Sequence, residues 1–323
     1  MLKFSVCISS IRVPSLKATI DSIRCQTWQN WELIVVGQGA DLRLQAIGEA
    51  AAREDRRIQY FHLRQYGATL ARNFALQIAT GDIIALTDDD CEAQADWLEV
   101  LAGYFLAEPE VGLVGGALVA PPPIRRGLAF CPSVYPAEVL YDPVASNRLE
   151  PPGWGWACGN VAIRRQVIAR VGEFDEYLGP GAIFPASDDN DYRLRLEALG
   201  IKMRTTSRAV VYHSFGYRYG PRSVFGLLRG YAMANGGLDA KLTLLGDPRG
   251  QESFQKTYQE CTLDLFRNSR LHRLPNSLGR LWYYTRAYRR CLREYRVDPL
   301  RKVLYPVTSY VPVRVANPNR GQL

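Results

Sequence analysis

Three consecutive carboxylates, Asp88, Asp89 and Asp90, follow directly on the apolar run at 83–87, IIALT. Such a run, bounded by polar residues, reads as a buried strand, so the triplet stands at a strand's carboxyl end. Two carboxylates one residue apart point to the same side of an extended chain, and Asp88 and Asp90 can therefore face one site. Hard divalent cations take several oxygen ligands and leave others to substrate phosphates, so this pair is a candidate cation site for a phosphate-bearing molecule. An isolated acidic triplet has a plainer reading as a solvated loop or helix cap. A second acidic group, Asp188, Asp189 and Asp191, opens a helix-periodic stretch. Caps and the helix dipole favour carboxylates there, and Asp191 can pair with Arg195 one turn on. Trp154 and Trp156, in PPGWGWACGN, offer rings that either stack on a sugar or belong to the core.

These residues need a frame. Residues 4–9, 31–36, 83–87 and 111–114 are continuous apolar runs, and 57–62 alternates. Between them lie helix-periodic segments. One is capped by Ser15 and buries Leu16, Ile20 and Ile23; one spans 41–53; one carries Leu70, Phe74 and Ile78 on a face; one is capped by Asp96 and buries Trp97, Leu101 and Phe105. Alternating strands and helices with continuous apolar strands predict a mostly parallel central sheet flanked by helices, an α/β fold. Ligands of such sheets lie beyond the strands' carboxyl ends, where the acidic triplet sits. Residues 119–155 are broken repeatedly by proline and read as loop. Order resumes with a strand at 160–163, helices at 164–171 and 188–199, and a strand at 209–212 that ends at His213. From Pro221 the pattern is helical and Arg-rich.

With 323 residues, 47% hydrophobic and 22% charged, the chain has the composition of a globular protein and can bury a sizeable core. The net charge of +8 is uneven: residues 241–323 hold about 16 Lys+Arg against about 6 Asp+Glu. Any polyanionic partner therefore belongs to the tail, where WYYTRAYRRCLREYR mixes arginine with aromatics. This pattern suits an anionic membrane surface, or a plain solvated helix face, better than nucleic acid, for which no module is present. Seven scattered cysteines without a CxxC pair disfavour disulfides and zinc. The opening MLKFSVCISSIRV is too short in its apolar part for a secretory leader. The expectation is a cytoplasmic protein, peripheral at the inner face of the cell membrane.

The segments SVCISSIRVPSLKATIDSIRCQTWQNWELIVV, GATLARNFALQIATGDIIALTDDDCEAQADWL, GNVAIRRQVIARVGEFDEYL and SDDNDYRLRLEALG occur in that order. Together they resemble the family 2 glycosyltransferases of GT-A fold, over roughly residues 4–216. The resemblance implies a Rossmann-like nucleotide-sugar-binding half at 1–115, an acceptor and catalytic-base half at 116–216, and a basic helical extension at 217–323. It implies an inverting transfer from a nucleotide diphosphate sugar to a hydroxyl of a glycan or lipid-linked acceptor, assisted by Mn2+ or Mg2+. On this pattern Asp90, with Asp88 and His213, would hold the metal. Ser9, Ser10, Gln38, Arg72, Asp88 and Asp89 would meet the donor, and Asp189, or next Asp188, would be the base. Trp154, Trp156, Gly159 and Asn160 would lie toward the acceptor. Gln38 stands where many members are acidic, and its amide can donate and accept, which leaves the donor base open among uracil, thymine and guanine. A nucleotidyltransferase of similar topology would need a Gly-rich loop that SSIRVPS does not supply, and intact Asp90, Asp189 and His213 argue against a non-catalytic basic scaffold.

Overall fold

A computed structural model of the chain describes residues 1–123, 127–266 and 274–307. Within them the chain runs β1 (Phe4–Ser10), α1 (Val13–Arg24), β2 (Trp31–Gln38), α2 (Leu42–Glu54), β3 (Ile58–Leu63), α3 (Ala68–Ile78), β4 (Ile83–Asp88), β5 (Glu92–Ala93), α4 (Trp97–Ala107) and β6 (Val111–Val119). It continues through β7 (Ala129–Phe130), β8 (Val139–Tyr141), β9 (Val161–Arg164), α5 (Arg165–Val171), α6 (Asp188–Ala198) and β10 (Lys202–Tyr212). The last elements are β11 (Arg218–Tyr219), α7 (Pro221–Leu244), α8 (Pro248–Phe266), α9 (Leu274–Glu294), β12 (Tyr295–Val297) and β13 (Leu304–Pro306).

One sheet carries the order β3-β2-β1-β4-β9-β6-β10-β5, with β8 also on β10. The ladders β1–β2, β1–β4, β2–β3 and β6–β10 are parallel; β9 runs against both β4 and β6. Successive side chains of a strand face opposite ways, so β1 feeds two cores. Phe4, Val6 and Ile8 pack with Leu16 and Ile20 of α1 and Trp97, Leu101 and Phe105 of α4. Cys7 joins Ile34, Ile84 and Leu86 against Ala71, Val167, Tyr192 and Leu196 on the other face. The helices on both faces explain why these strands read as unbroken apolar runs. A third core joins Leu178 and Phe184 to α7 and α9 through Ala234, Leu238, Ala287 and Cys291. There a Cβ on Gly236 would lie 2.3 Å from the Tyr284 carbonyl oxygen, so this glycine sets how closely α7 and α9 approach.

Local expectations change in several places. The N-cap of α1 is Arg12, and Ser15 is buried inside the helix, because Pro14 suits its first turn and the helix starts three residues earlier than expected. Asp96 does stand at the N-cap of α4, without a side-chain bond to the helix. The buried face of α3 is Thr69, Ala71, Arg72, Asn73 and Ala75, and Leu70, Phe74 and Ile78 are only half-buried. Leu199 lies past the end of α6 and is exposed. Small residues let α3 lie close on the sheet, and a polar pair takes the buried positions that apolar periodicity assigns elsewhere. The expected border between residues 115 and 116 falls inside β6.

Candidate active site

The three aspartates at the end of β4 meet different partners. Asp89 is buried, and its Oδ2 accepts from Ser10 Oγ (3.0 Å) and from the amides of Ile11 and Arg12 (both 2.8 Å). Its Oδ1 accepts from Arg12 Nη1 at 2.7 Å. Burial raises the carboxyl's pKa, opposed chiefly by the Arg12 charge and the amide hydrogen bonds. Asp89 thus holds the β1–α1 loop in shape, and Ser10 is its partner; both were expected at the donor. Asp88 keeps 30% of its side chain exposed, the most open of the three. Ser9, half-buried, is its register partner on β1. Gly159 forms the wall beside it: a Cβ there would lie 3.2 Å from Asp88 Oδ2.

Asp90 faces His213, which the parallel pairing of β10 with β6 carries to the same edge. His213 Nε2 lies 3.3 Å from Asp90 Oδ2, and its Nδ1 is 2.7 Å from the Pro132 carbonyl. Donation from Nδ1 to that carbonyl leaves Nε2 turned to the carboxylate, the orientation a metal-binding imidazole takes. Burial lowers the His213 pKa, but the Asp90 hydrogen bond and charge raise it more. Arg12 Nη1 is 2.8 Å from the same Asp90 oxygen. Burial raises the Asp90 carboxyl, and His213 and Arg12 together hold it below its ordinary value. Asp90, Cys91 and His213 bring ligand-type atoms within 4.8 Å of one another. Burial, then Asp88 and Asp90, push the Cys91 thiol well up. A carboxylate oxygen with an imidazole nitrogen fits a divalent cation of the Mn2+ kind.

Arg72 is buried, with Nη2 2.9 Å from Asp88 Oδ1 and Nη1 bonded to Asp188 Oδ2. It was expected to touch the nucleotide; its guanidinium instead joins the two acidic groups identified from the sequence. Asp188 is thereby paired at the start of α6. Asp189, beside it, remains partly exposed and accepts only the neighbouring Asn190 amide, at 2.8 Å, among the described side-chain contacts. Surrounding protein, then the like charge of Asp188, push its carboxyl up to about 7. Asp191 bonds Arg195 Nη2 at 2.9 Å, as its spacing predicts, and also the fully buried Lys241 of α7. Lys241 reaches Asp175 at 2.8 Å as well. Ser187, just ahead of the helix, takes φ of 65° and donates from Oγ to Asn235 of α7 at 2.9 Å. A non-glycine residue held there is a strained feature at the head of the acidic group.

The remaining candidates divide. Gln38 gives both amide hydrogens to the loop before α3, to the carbonyls of Gln65 (2.9 Å) and Gly67 (3.0 Å). It was expected to offer donor and acceptor to a base; only its carbonyl is left for that. Asn160 is fully buried, donates to Ala117 and Ala209 at 2.7 and 2.8 Å, and accepts from Trp97 Nε1 at 2.8 Å. It staples β6, β10 and α4 together and does not face an acceptor. Trp156 lies in the core against Gly115, whereas Trp154, half-buried, packs edge-on against Tyr141 at 4.7 Å at the margin of that core. Two residues escaped the sequence reading. Arg12 had a faint signal, a lone basic residue just after the first strand, whereas Lys241 inside a basic tail had none.

Comparison with known proteins came to the same fold. The family model described as Glycosyl transferase family 2 matches residues 5–168. A glucosyl-dolichyl phosphate glucuronosyltransferase of Haloferax volcanii is 26% identical over 175 residues, 54% of this chain and 56% of the relative. A pre-mycofactocin glycosyltransferase of Mycobacterium tuberculosis is 27% identical over 195 residues, 56% of this chain and 37% of the relative. The chain thus spans about half or less of these relatives. Among solved structures, the mannosyltransferase PcManGT of Pyrobaculum calidifontis, in complex with GDP-Man and Mn2+, superposes with a TM-score of 0.57 at 16% identity, covering 90% of this chain and 87% of that one. S. aureus TarS 1–349 with UDP-GlcNAc gives 0.51 at 16% identity, covering 89% and 82%.

Proposed function

Because the chain belongs to glycosyl transferase family 2 and is a glycosyltransferase, we propose that it moves a sugar from a nucleoside diphosphate donor to an acceptor hydroxyl, with inversion at the anomeric carbon. The observation that carries this reading is the Arg72 bridge between Asp88 and Asp188, which couples the donor end of β4 to the head of α6 and leaves Asp189 as the open carboxylate. Asp90 and His213 would hold a divalent cation, with Asp88 toward the donor. When bound, the cation supplies positive charge to the departing diphosphate. Asp189 would accept the proton of the attacking hydroxyl at its carboxylate oxygen. A pKa near 7 suits this, because the group is then both available as a base and strong enough to act. Asp188 is paired with Arg72, so proton removal falls to its neighbour.

The structures with GDP-Man and with UDP-GlcNAc bring candidate donors to this chain. The decisive experiment offers UDP-, GDP- and dTDP-sugars with Mn2+, Mg2+ or chelator, and reads nucleotide release and the anomeric configuration of the product by NMR. Release with retained configuration would refute the direct displacement, and no release from any donor would refute the assignment. A role at an anionic membrane surface is proposed on the charge of the extension. There α9 is two-sided: Tyr284 and Tyr288 are buried, while Trp282 is exposed with Arg286 over its ring at 5.0 Å. No described helix is long and apolar enough to cross a membrane.

A further inference from the structure

A cavity of about 840 Å³ lies between α7, α8 and α9, away from the carboxyl ends of β1 and β4. It is within the size range of ligand sites, roughly 300–1,000 Å³. It reaches the head of α6 through Asn190, next to Asp189, and through Asn235, whose side chain holds Ser187. Tyr231, also on its wall, is close enough to Asp189 for that carboxylate to help raise the phenol's pKa, after burial. A molecule in this cavity is therefore adjacent to the proposed base and outside the proposed donor site.

Its walls have two chemistries. Phe225, Leu228 and Leu242 line it with apolar surface, and Phe225 is 55% exposed. Four arginines line it too. Three have carboxylate partners: Arg193 with Glu150 and Glu197, Arg249 with Asp247 and Glu197, and Arg280 with Glu260. Arg229 has none among the described residues, and its guanidinium lies 4.7 Å from the centre of the Tyr283 ring. The one lining carboxylate, Asp239, already receives hydrogen bonds from Ser253 (2.8 Å) and Tyr284. The cavity thus offers an unneutralised cation beside an apolar wall. A bare sugar would make no use of the apolar wall, and inorganic phosphate would use only the cation.

We infer that this cavity binds an amphiphilic phosphate ester, with the phosphate at Arg229 and the hydrocarbon along Phe225 and Leu228. This rests on the glycosyltransferase reading for its purpose: such a site would hold the non-reacting part of a lipid-phosphate-linked acceptor while its sugar hydroxyl meets Asp189. Charge-assisted contacts from a guanidinium suit a phosphate, and each buried methylene adds to affinity.

The test is calorimetry on the full chain with three probes below their aggregation concentrations: n-decyl phosphate, inorganic phosphate and n-decanol. Decyl phosphate should bind at least about tenfold more tightly than either of the others, since losing the charge or the chain removes one of the two contacts. Arg229→Gln, at an exposed position, should weaken decyl phosphate about tenfold and leave decanol unchanged. Leu228→Trp should weaken both decyl phosphate and decanol by narrowing the cavity. Nucleoside diphosphate binding with Mn2+ should be the same in all three proteins, and serves as the check on folding. Equal affinity for phosphate and decyl phosphate, equal affinity for decanol and decyl phosphate, or decyl phosphate binding unmoved by both substitutions overturns the inference. Loss of nucleotide binding by the unaltered chain would instead count against the enzymatic reading, so the two failures are distinguishable.

Discussion

Adjacent aspartates in this protein differ because of what each touches. Asp188 is bonded to buried Arg72, whereas Asp189 is partly open and its carboxyl is raised to about 7. A base must be unprotonated to act, so kcat/KM should rise with pH up to about 7 and level off above it. Asp189→Asn should cut transfer by roughly 10²–10⁴ with donor affinity within a few fold, measured by steady-state rates and calorimetry, because a positioned base contributes about that much. Asp188→Asn removes the neighbouring negative charge, so the midpoint of the pH profile should move to lower pH; a midpoint that stays put would show that Asp188 does not bear on the titrating group. Asp90→Ala should abolish the Mn2+-dependent part of nucleoside diphosphate affinity. Unchanged metal dependence would take Asp90 out of the cation site.

Among the elements, α6 is the one held from most sides. Asp191 near its start is tied to Arg195 on the same helix and to Lys241 on α7, and Lys241 also meets Asp175, whose Oδ2 accepts the Leu304 amide of β13 at 2.8 Å. Removing one partner of such a buried set leaves uncompensated charge, which costs about 3–5 kcal/mol. Lys241→Met should therefore lower the denaturant midpoint markedly, and a change under about 1 kcal/mol would show that the network is not a stabilising tie. A second device acts at the other end of the sheet. Glu32 on β2 accepts from Ser5, from Lys3 Nζ (2.9 Å) and from the Thr80 amide (2.8 Å). Burial works against its ionised form, but these bonds outweigh it and hold the carboxyl at about 2, below the ordinary 4.5. A depressed carboxyl contributes stability above pH 4.5 that is lost as pH falls toward 2. Stability curves across that window should be flatter for Glu32→Gln than for the unaltered chain.

For the whole molecule, the question is what the basic extension does. Its helices are not a loose tail: α7 and α9 share a core with Leu178 and Phe184, and α7 reaches under the base helix. Basic and aromatic side chains left outside that core, such as Trp282 and Arg286, are available to an anionic surface. Flotation with vesicles containing anionic lipid should show binding that weakens as salt rises, because surface attraction is screened over about 10 Å at 0.1 M ionic strength. Equal binding to neutral vesicles, or no binding to either, would refute a charge-driven association.

The α/β class, the sheet strands at 4–9, 31–36, 83–87 and 111–114, and the position of Asp88, Asp89 and Asp90 at a strand end were all legible in the sequence. Apolar periodicity and strand-end placement are local properties, and so is the Asp191–Arg195 pair one helical turn apart. What the sequence left undecided was which of several like side chains is open and which is tied. Arg72 and Asp188 are 116 residues apart, and Gln38 meets the Gly67 carbonyl across 29. Asn160 and Trp156 look polar or aromatic enough for an acceptor site until packing places them inside. Lys241 reads as one more basic residue until the fold buries it between two aspartates. Only the tertiary structure decided these roles, because a charge or an amide acquires its role from partners that the chain brings near by folding, and no spacing along the sequence encodes them.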